Sequence, residues 1–114
     1  YTSGRLYSKG KKSFLYGKME ARIKFPGGVG TWPAFWMMGE SGRWPKCGEI
    51  DIMEHVGYLD NRASFALHTQ EKNGMNGRNW HATQFFDYPL SNDFHIYGVE
   101  CISSSRASDI GWTI

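Results

Sequence analysis

The 114-residue sequence predicts an all-β chain arranged as an antiparallel β-sandwich, and three observations carry that prediction. Residues 18–25 alternate without a break, with Met19, Ala21, Ile23 and Phe25 on one side and Lys18, Glu20, Arg22 and Lys24 on the other. That period of two belongs to a strand buried on one face only. Gly48 and Gly57 bracket a short run holding the β-branched residues Ile50, Ile52 and Val56, which is long for a strand and short for a helix. Ile52 and Val56 are also four apart, so helical spacing is present in that run too. Finally, the apolar runs are separated at short intervals by turn-forming residues, Lys9-Gly10-Lys11-Lys12 and Pro26-Gly27-Gly28-Val29-Gly30 among them, with no convincing helix between.

Taken in order, residues 1–8 alternate loosely and are expected to form a strand ending in the lysine-rich turn. In the strand over 18–25, Glu20 is expected to be a surface partner for neighbouring bases. Residues 32–38 are apolar on both faces, and Trp32, Ala34, Trp36 and Met38 share one parity. Core packing is the usual reading of two tryptophans on one face, and a platform for the apolar face of a sugar ring is the other. Residues 62–69 read as a strand placing Phe65 and Leu67 opposite Ala66 and His68, so that an antiparallel neighbour would set His68 beside the preceding acidic run. Residues 71–79 are rich in Gly and Asn and read as a loop that lines one end of a cleft. Residues 92–99 alternate again. His55 and His81 are expected at the surface, and Cys47 is expected to be a small buried hydrophobe.

The acidic run is the chemical centre. Gly48-Glu49-Ile50-Asp51-Ile52-Met53-Glu54 places three carboxylates within six residues. In a regular strand Glu49 and Asp51 share a face, while Glu54 has the opposite parity and would be directed into the core. One extra residue bulged near Ile52 or Met53 returns Glu54 to the face of the other two. Glu49 and Glu54 then stand four strand steps apart, roughly 13 Å at about 3.3 Å per residue. Side chains leaning together would bring their carboxyls toward the roughly 5 to 5.5 Å used in retaining glycoside hydrolysis. A merely solvated acidic face remains the bland alternative for such a pattern.

Composition narrows the classes. Thirteen basic and eleven acidic residues leave a net charge of +2, too weak to argue for nucleic acid or an anionic membrane, and no apolar run approaches a membrane span. The aromatic fraction of 16% suits a sugar site and a large β core alike. Two cysteines, Cys47 and Cys101, do not define a disulfide framework, and no CxxC or HExxH spacing supports zinc.

Trp44-Pro45-Lys46-Cys47-Gly48-Glu49-Ile50-Asp51-Ile52-Met53-Glu54 resembles the active-site strand of glycoside hydrolase family sixteen, in particular its laminarinase (endo-1,3-β-glucanase) branch. The resemblance extends, in the family's order, through Tyr1-Thr2-Ser3-Gly4-Arg5-Leu6, Tyr16-Gly17-Lys18-Met19-Glu20-Ala21-Arg22-Ile23-Lys24, Trp32-Pro33-Ala34-Phe35-Trp36-Met37, His68-Thr69 and Asp93-Phe94-His95-Ile96-Tyr97. It implies a concanavalin A-like jelly roll with a cleft across its concave sheet. Residues 1–100 would be the central part of a catalytic domain roughly twice this long, lacking strands at both ends, and 101–114 a divergent, Ser-rich tail. The isolated piece is expected to be unstable and inactive by itself.

The implied reaction is retaining hydrolysis of internal β-1,3 or mixed β-1,3/1,4-glucan linkages. Glu49 would be the nucleophile, Glu54 the acid and base, and Asp51 the residue that positions and tunes Glu49. Trp32, Trp36, Trp44, His68 and Arg5 would contact the glycan. No cofactor is required, no metal ligand is assigned, and a structural calcium ion is compatible with the full domain. The resemblance further implies an extracellular or periplasmic monomer acting on polysaccharide, without nucleic-acid or membrane partners. The alternatives are a non-catalytic β-glucan recognition protein and a family-sixteen galactanase (agarase or carrageenase). A sulfated substrate would call for basic residues near the acids. The nearby candidates are Lys46, facing away from Glu49 by parity, and Arg43 and Arg62, both expected in turns.

Overall fold

The computed structural model of the protein describes residues 2–102 and the backbone of 110–113. The strands are β1 (Gly17–Ile23), β2 (Ala34–Met38), β3 (Glu49–Glu54), β4 (Arg62–His68), β5 (Trp80–Phe85), β6 (His95–Cys101) and β7 (Ile110–Thr113), with short 3-10 turns at Gly74–Asn76 and Leu90–Asn92. They form two antiparallel sheets, a four-stranded one ordered β2-β3-β4-β5 and a three-stranded one ordered β1-β6-β7. The four-stranded sheet is a meander because short connections can join only antiparallel neighbours. β3 and β6 face each other across the layer between the sheets. Phe25, Ile52, Met53, Ala63, Leu90, Tyr97 and Val99 fill that layer, flanked by Met19, Ile23, Phe35, Met37 and Ile50.

The alternation of β1 is realised. Met19, Ala21 and Ile23 turn inward, Lys18 and Glu20 form a surface ion pair, and the Arg22 guanidinium lies 4.3 Å above the Phe94 ring. The lysine-rich turn also forms, with Lys11 N–H donating to the Ser8 carbonyl at 2.8 Å.

Several expectations are corrected. Residues 2–7 form no strand. Among the described residues no neighbouring strand pairs with them, and Leu6 stands fully in solvent. Residues 80–85 supply β5, which its mostly exposed side chains leave without a strong apolar pattern in the sequence. In the tail, residues 110–113 return as β7, with Ile110 opposite Cys101 and Thr113 opposite Gly98, while residues 103–109 lie outside the described residues. Arg62 opens β4 instead of lying in a turn, and by register it shares the parity of Ser64, Ala66 and His68.

His55 is fully buried, not superficial. Once Glu54 faces outward, strand parity turns the next residue inward. There the imidazole stacks on Phe25 at 4.2 Å, with Nδ1 2.9 Å from the Arg62 carbonyl oxygen and Nε2 3.3 Å from Asp60 Oδ1. Cys47 is half-buried, and its close contact is made by its carbonyl rather than its thiol. A Cβ placed on Gly39 would lie 1.9 Å from that carbonyl oxygen, where Gly39 N–H donates to the Gly48 carbonyl at 3.1 Å. Backbone thus crosses backbone at the base of the loop carrying Trp44. Gly39→Ala is expected to destabilise the fold by ~3 kcal/mol, since the added methyl would meet backbone rather than a side chain that could turn aside, and a lowered denaturant midpoint with unchanged slope would show it.

Candidate active site

β3 crosses the centre of the four-stranded sheet, and its register sets which side chains meet. Glu49 lies opposite Met38 on one side and His68 on the other, Asp51 opposite Trp36 and Ala66, and Glu54 opposite Ala34 and Ser64. Between Asp51 and Glu54 both ladders slip, so three residue steps on β3 match two on each neighbour. This is a bulge at Ile52–Met53. Both bulge residues enter the core, at 0% and 1% exposure, and Glu54 rejoins the face of Glu49 and Asp51.

That face lines an open cleft of about 460 Å³ bounded by Trp32, Glu49, Asp51, Glu54, Ser64 and His68, with Asn79 and His81 at its far side. The outer glutamates are half-buried, and each accepts a hydrogen bond from an indole. Trp44 Nε1–H donates to Glu49 Oε2, and Trp32 Nε1–H donates to Glu54 Oε1 at 3.1 Å. Asp51, between them, is 5% exposed. Burial pushes its carboxyl up, with the charges of Glu54 and then Glu49 adding to the effect, to a pKa of about 7. His68 Nε2 stands 3.2 Å from Asp51 Oδ2, and the Trp44 ring packs 5.7 Å from the imidazole, centroid to centroid.

The structure therefore brings Glu49, Asp51, Glu54, Trp32, Trp44 and His68 together as the sequence suggested. Trp32 and Trp44 do so through their N–H groups, a role the sequence did not suggest. Trp36 is on the same face by register, but its ring is covered by the Arg5 guanidinium at 4.5 Å, and Arg5 also lies 5.5 Å from the Tyr7 ring. His81 is exposed as expected, yet the surface it occupies is the cleft. Its position opposite Ala66 was legible only after β5 was known. Among the described residues no group of three or more His, Cys, Asp or Glu is placed to hold a metal ion. Among the described residues no helix is long and apolar enough to cross a membrane.

The elevated Asp51 pKa has a stability consequence. The unfolded chain releases this proton near pH 4, whereas the folded chain keeps it to about pH 7. Stability contributed at Asp51 is thus fully present below about pH 4 and is lost as pH rises to about 7. Asp51→Asn, which keeps the shape without the charge, is expected to gain stability over the native protein across that window. Thermal melts at a series of pH values would show the gap widening, and a gap independent of pH would count against the shifted carboxyl.

The model of glycosyl hydrolases family 16 matches residues 1–104. A β-glucanase from Rhodothermus marinus is 42% identical over 106 residues, covering 88% of this chain and 36% of the relative. A keratan-sulfate endo-1,4-β-galactosidase from Sphingobacterium multivorum is 46% identical over 87 residues, covering 73% of this chain and 20% of the relative. Among solved structures, the laminarinase catalytic domain from Thermotoga maritima MSB8 superposes with a TM-score of 0.83 at 34% identity, over 92% of this chain and 42% of that one. The chain thus spans well under half the length of the proteins it matches. Its two antiparallel sheets are part of their jelly roll, and the match across 1–104 shows that this chain belongs to glycosyl hydrolases family 16.

Proposed function

We propose that the complete protein carrying this chain hydrolyses internal β-1,3 linkages of glucan, including those of mixed β-1,3/1,4 polymers, with retention of anomeric configuration. The observation that carries this reading is the bulge in β3, which puts Glu49 and Glu54 on one cleft face with buried Asp51 between them. A solvated acidic face would need neither the bulge nor the burial. Glucanase relatives support the substrate class.

Glu49 is the nucleophile. The Trp44 N–H occupies one of its oxygens, leaving the other to attack the anomeric carbon. Glu54 gives a proton to the departing glycosidic oxygen, and after the leaving sugar diffuses away it takes one from water as that water attacks the glycosyl ester. The Trp32 N–H donates to Oε1, so the transferable proton belongs on the other oxygen. Asp51 sits between two groups whose charges change in opposite steps. With its pKa of about 7 it can respond to each, holding a proton while Glu49 is ionised and releasing it when Glu49 is esterified. His68 completes the glycan-facing wall, and Arg5, lying over the Trp36 ring, would meet the glycan beyond it in place of that ring. We place the protein outside the cytoplasm as a monomer, since a polysaccharide does not cross a membrane intact.

Glu49→Ala and Glu54→Ala are each expected to lower turnover about a thousandfold while glucan binding persists, and Asp51→Asn to impair it partially. Given laminarin, lichenan, agarose and κ-carrageenan, the complete protein should cleave laminarin best, with the β-anomer appearing first in NMR spectra. The sulfated substrate is a pointed comparison, because Arg62 lies on β4 with cleft-face parity and one relative is named for keratan sulfate. Preferential cleavage of a sulfated galactan would overturn the substrate, initial α-anomer would overturn the mechanism, and tight binding without cleavage would favour the recognition-protein alternative.

A further inference from the structure

The connection from β4 to β5, which reads in the sequence as a Gly- and Asn-rich loop lining one end of a cleft, is tightly organised around a buried amide. Asn73 is 4% exposed. Its Nδ2 donates to the Thr69 and Gln70 carbonyls at 3.1 and 3.2 Å, and its Oδ1 accepts from Met75 N–H at 3.1 Å. Its backbone N–H donates to Asn76 Oδ1 at 3.1 Å, and its carbonyl accepts from Arg78 N–H at 3.2 Å. A buried amide satisfied at both ends holds its surroundings in one arrangement, because any other leaves polar atoms unpaired. What that arrangement presents is the next residue: Gly74 N–H donates to His68 Nδ1 at 3.1 Å. A Cβ at Gly74 would already stand 3.4 Å from His68 Cε1, so backbone lies directly against the imidazole edge.

A backbone N–H can only donate, so Nδ1 must be the acceptor, and the single proton of a neutral imidazole then belongs on Nε2. Nε2 is the nitrogen 3.2 Å from Asp51 Oδ2. The opposite tautomer would set N–H against N–H at Gly74 and lone pair against carboxylate oxygen at Asp51. We propose that Gly74, held by Asn73, is a positioning residue that fixes His68 in the tautomer directing Nε2–H at Asp51. Its bearing on turnover rests on the hydrolase reading above. Asp51 is shared between Glu49 and Glu54 on the same strand, and a fixed donor opposite it favours the carboxylate that burial disfavours. Losing that donor leaves Asp51 less able to exchange its proton as Glu49 gains and loses charge.

Two substitutions separate the placement of the N–H from added bulk. Asn73→Ala frees the loop from Thr69 and Gln70 and so loosens the N–H from Nδ1 without placing a new atom against the imidazole, whereas a proline at 74 would set its ring Cδ where the amide hydrogen meets Nδ1. Gly74→Ala adds a Cβ but keeps the donor. In the complete protein, nitrogen NMR of labelled imidazoles above neutral pH should show protonated Nε2 and unprotonated Nδ1 for His68 in the native and Gly74→Ala forms. Asn73→Ala should show a mixture of tautomers, with kcat on laminarin about tenfold lower and KM within about twofold. If Asn73→Ala does not fold, Asn73→Asp, which keeps an acceptor for Met75 N–H but has no donor for Thr69 and Gln70, should produce the same mixing. A native nitrogen pattern in the folded Asn73 variant, or equal shifts in Gly74→Ala and the Asn73 variant, would overturn the proposal. So would a tautomer mixture with unchanged kcat. Absence of turnover in the native protein would instead overturn the hydrolase reading, because the nitrogen pattern is read without substrate.

Discussion

One additional residue in β3 governs what this chain can do. With a regular strand, Glu54 would point into the layer occupied by Ile52, Met53 and Tyr97, an arrangement that removes a carboxylate from water without a partner. The bulge sends two consecutive apolar residues inward and leaves three acids outward, so core filling and site assembly are met by the same local irregularity. The ladder slips against β2 and β4 alike, and the flanking strands must therefore carry matching side chains on both sides of the acids. The inward turn of His55 follows from the same shift in parity.

Three carboxylates on one strand repel one another, and the structure manages that repulsion with neutral donors and with a proton. Indole N–H groups meet the two outer glutamates, and an imidazole nitrogen faces the central aspartate. Neutral donors stabilise a carboxylate without cancelling its charge. The field of the outer pair is therefore left to act on Asp51, whose raised pKa follows from its burial and from those charges. The loops that supply the donors are anchored by backbone contacts. Trp44 is carried on a loop closed where Gly39 passes Cys47, and the imidazole is braced by the loop around Asn73.

What could be read from the chain divides along physical lines. Alternation in residues 18–25, the β-branched acidic run and the parity conflict at Glu54 are local properties of a strand, so the antiparallel sheet and the bulge at Ile52–Met53 follow from sequence. The same parity argument, continued by one residue, would have placed His55 inside. β5 escaped notice because an exposed strand has little apolar pattern to show, and His81 escaped with it. Residues 2–7 alternate in sequence but have no strand beside them among the described residues, and a lone extended segment has nothing to bond its amides.

The sequence by itself determined which acids meet on one face of the sheet, since Glu49, Asp51 and Glu54 lie on one strand and their relative placement depends only on strand period and one inserted residue. Tertiary structure alone decided their surroundings. Trp32 and Trp44 could have been stacking platforms or core residues, and only the folding of their loops turned their N–H groups toward Glu54 and Glu49. The orientation of His68 depends on a backbone N–H six residues ahead, and the covering of Trp36 depends on Arg5 far behind it in the chain. Such contacts are fixed by loop closure and cross-strand register, and neither is encoded in the spacing of the residues that meet.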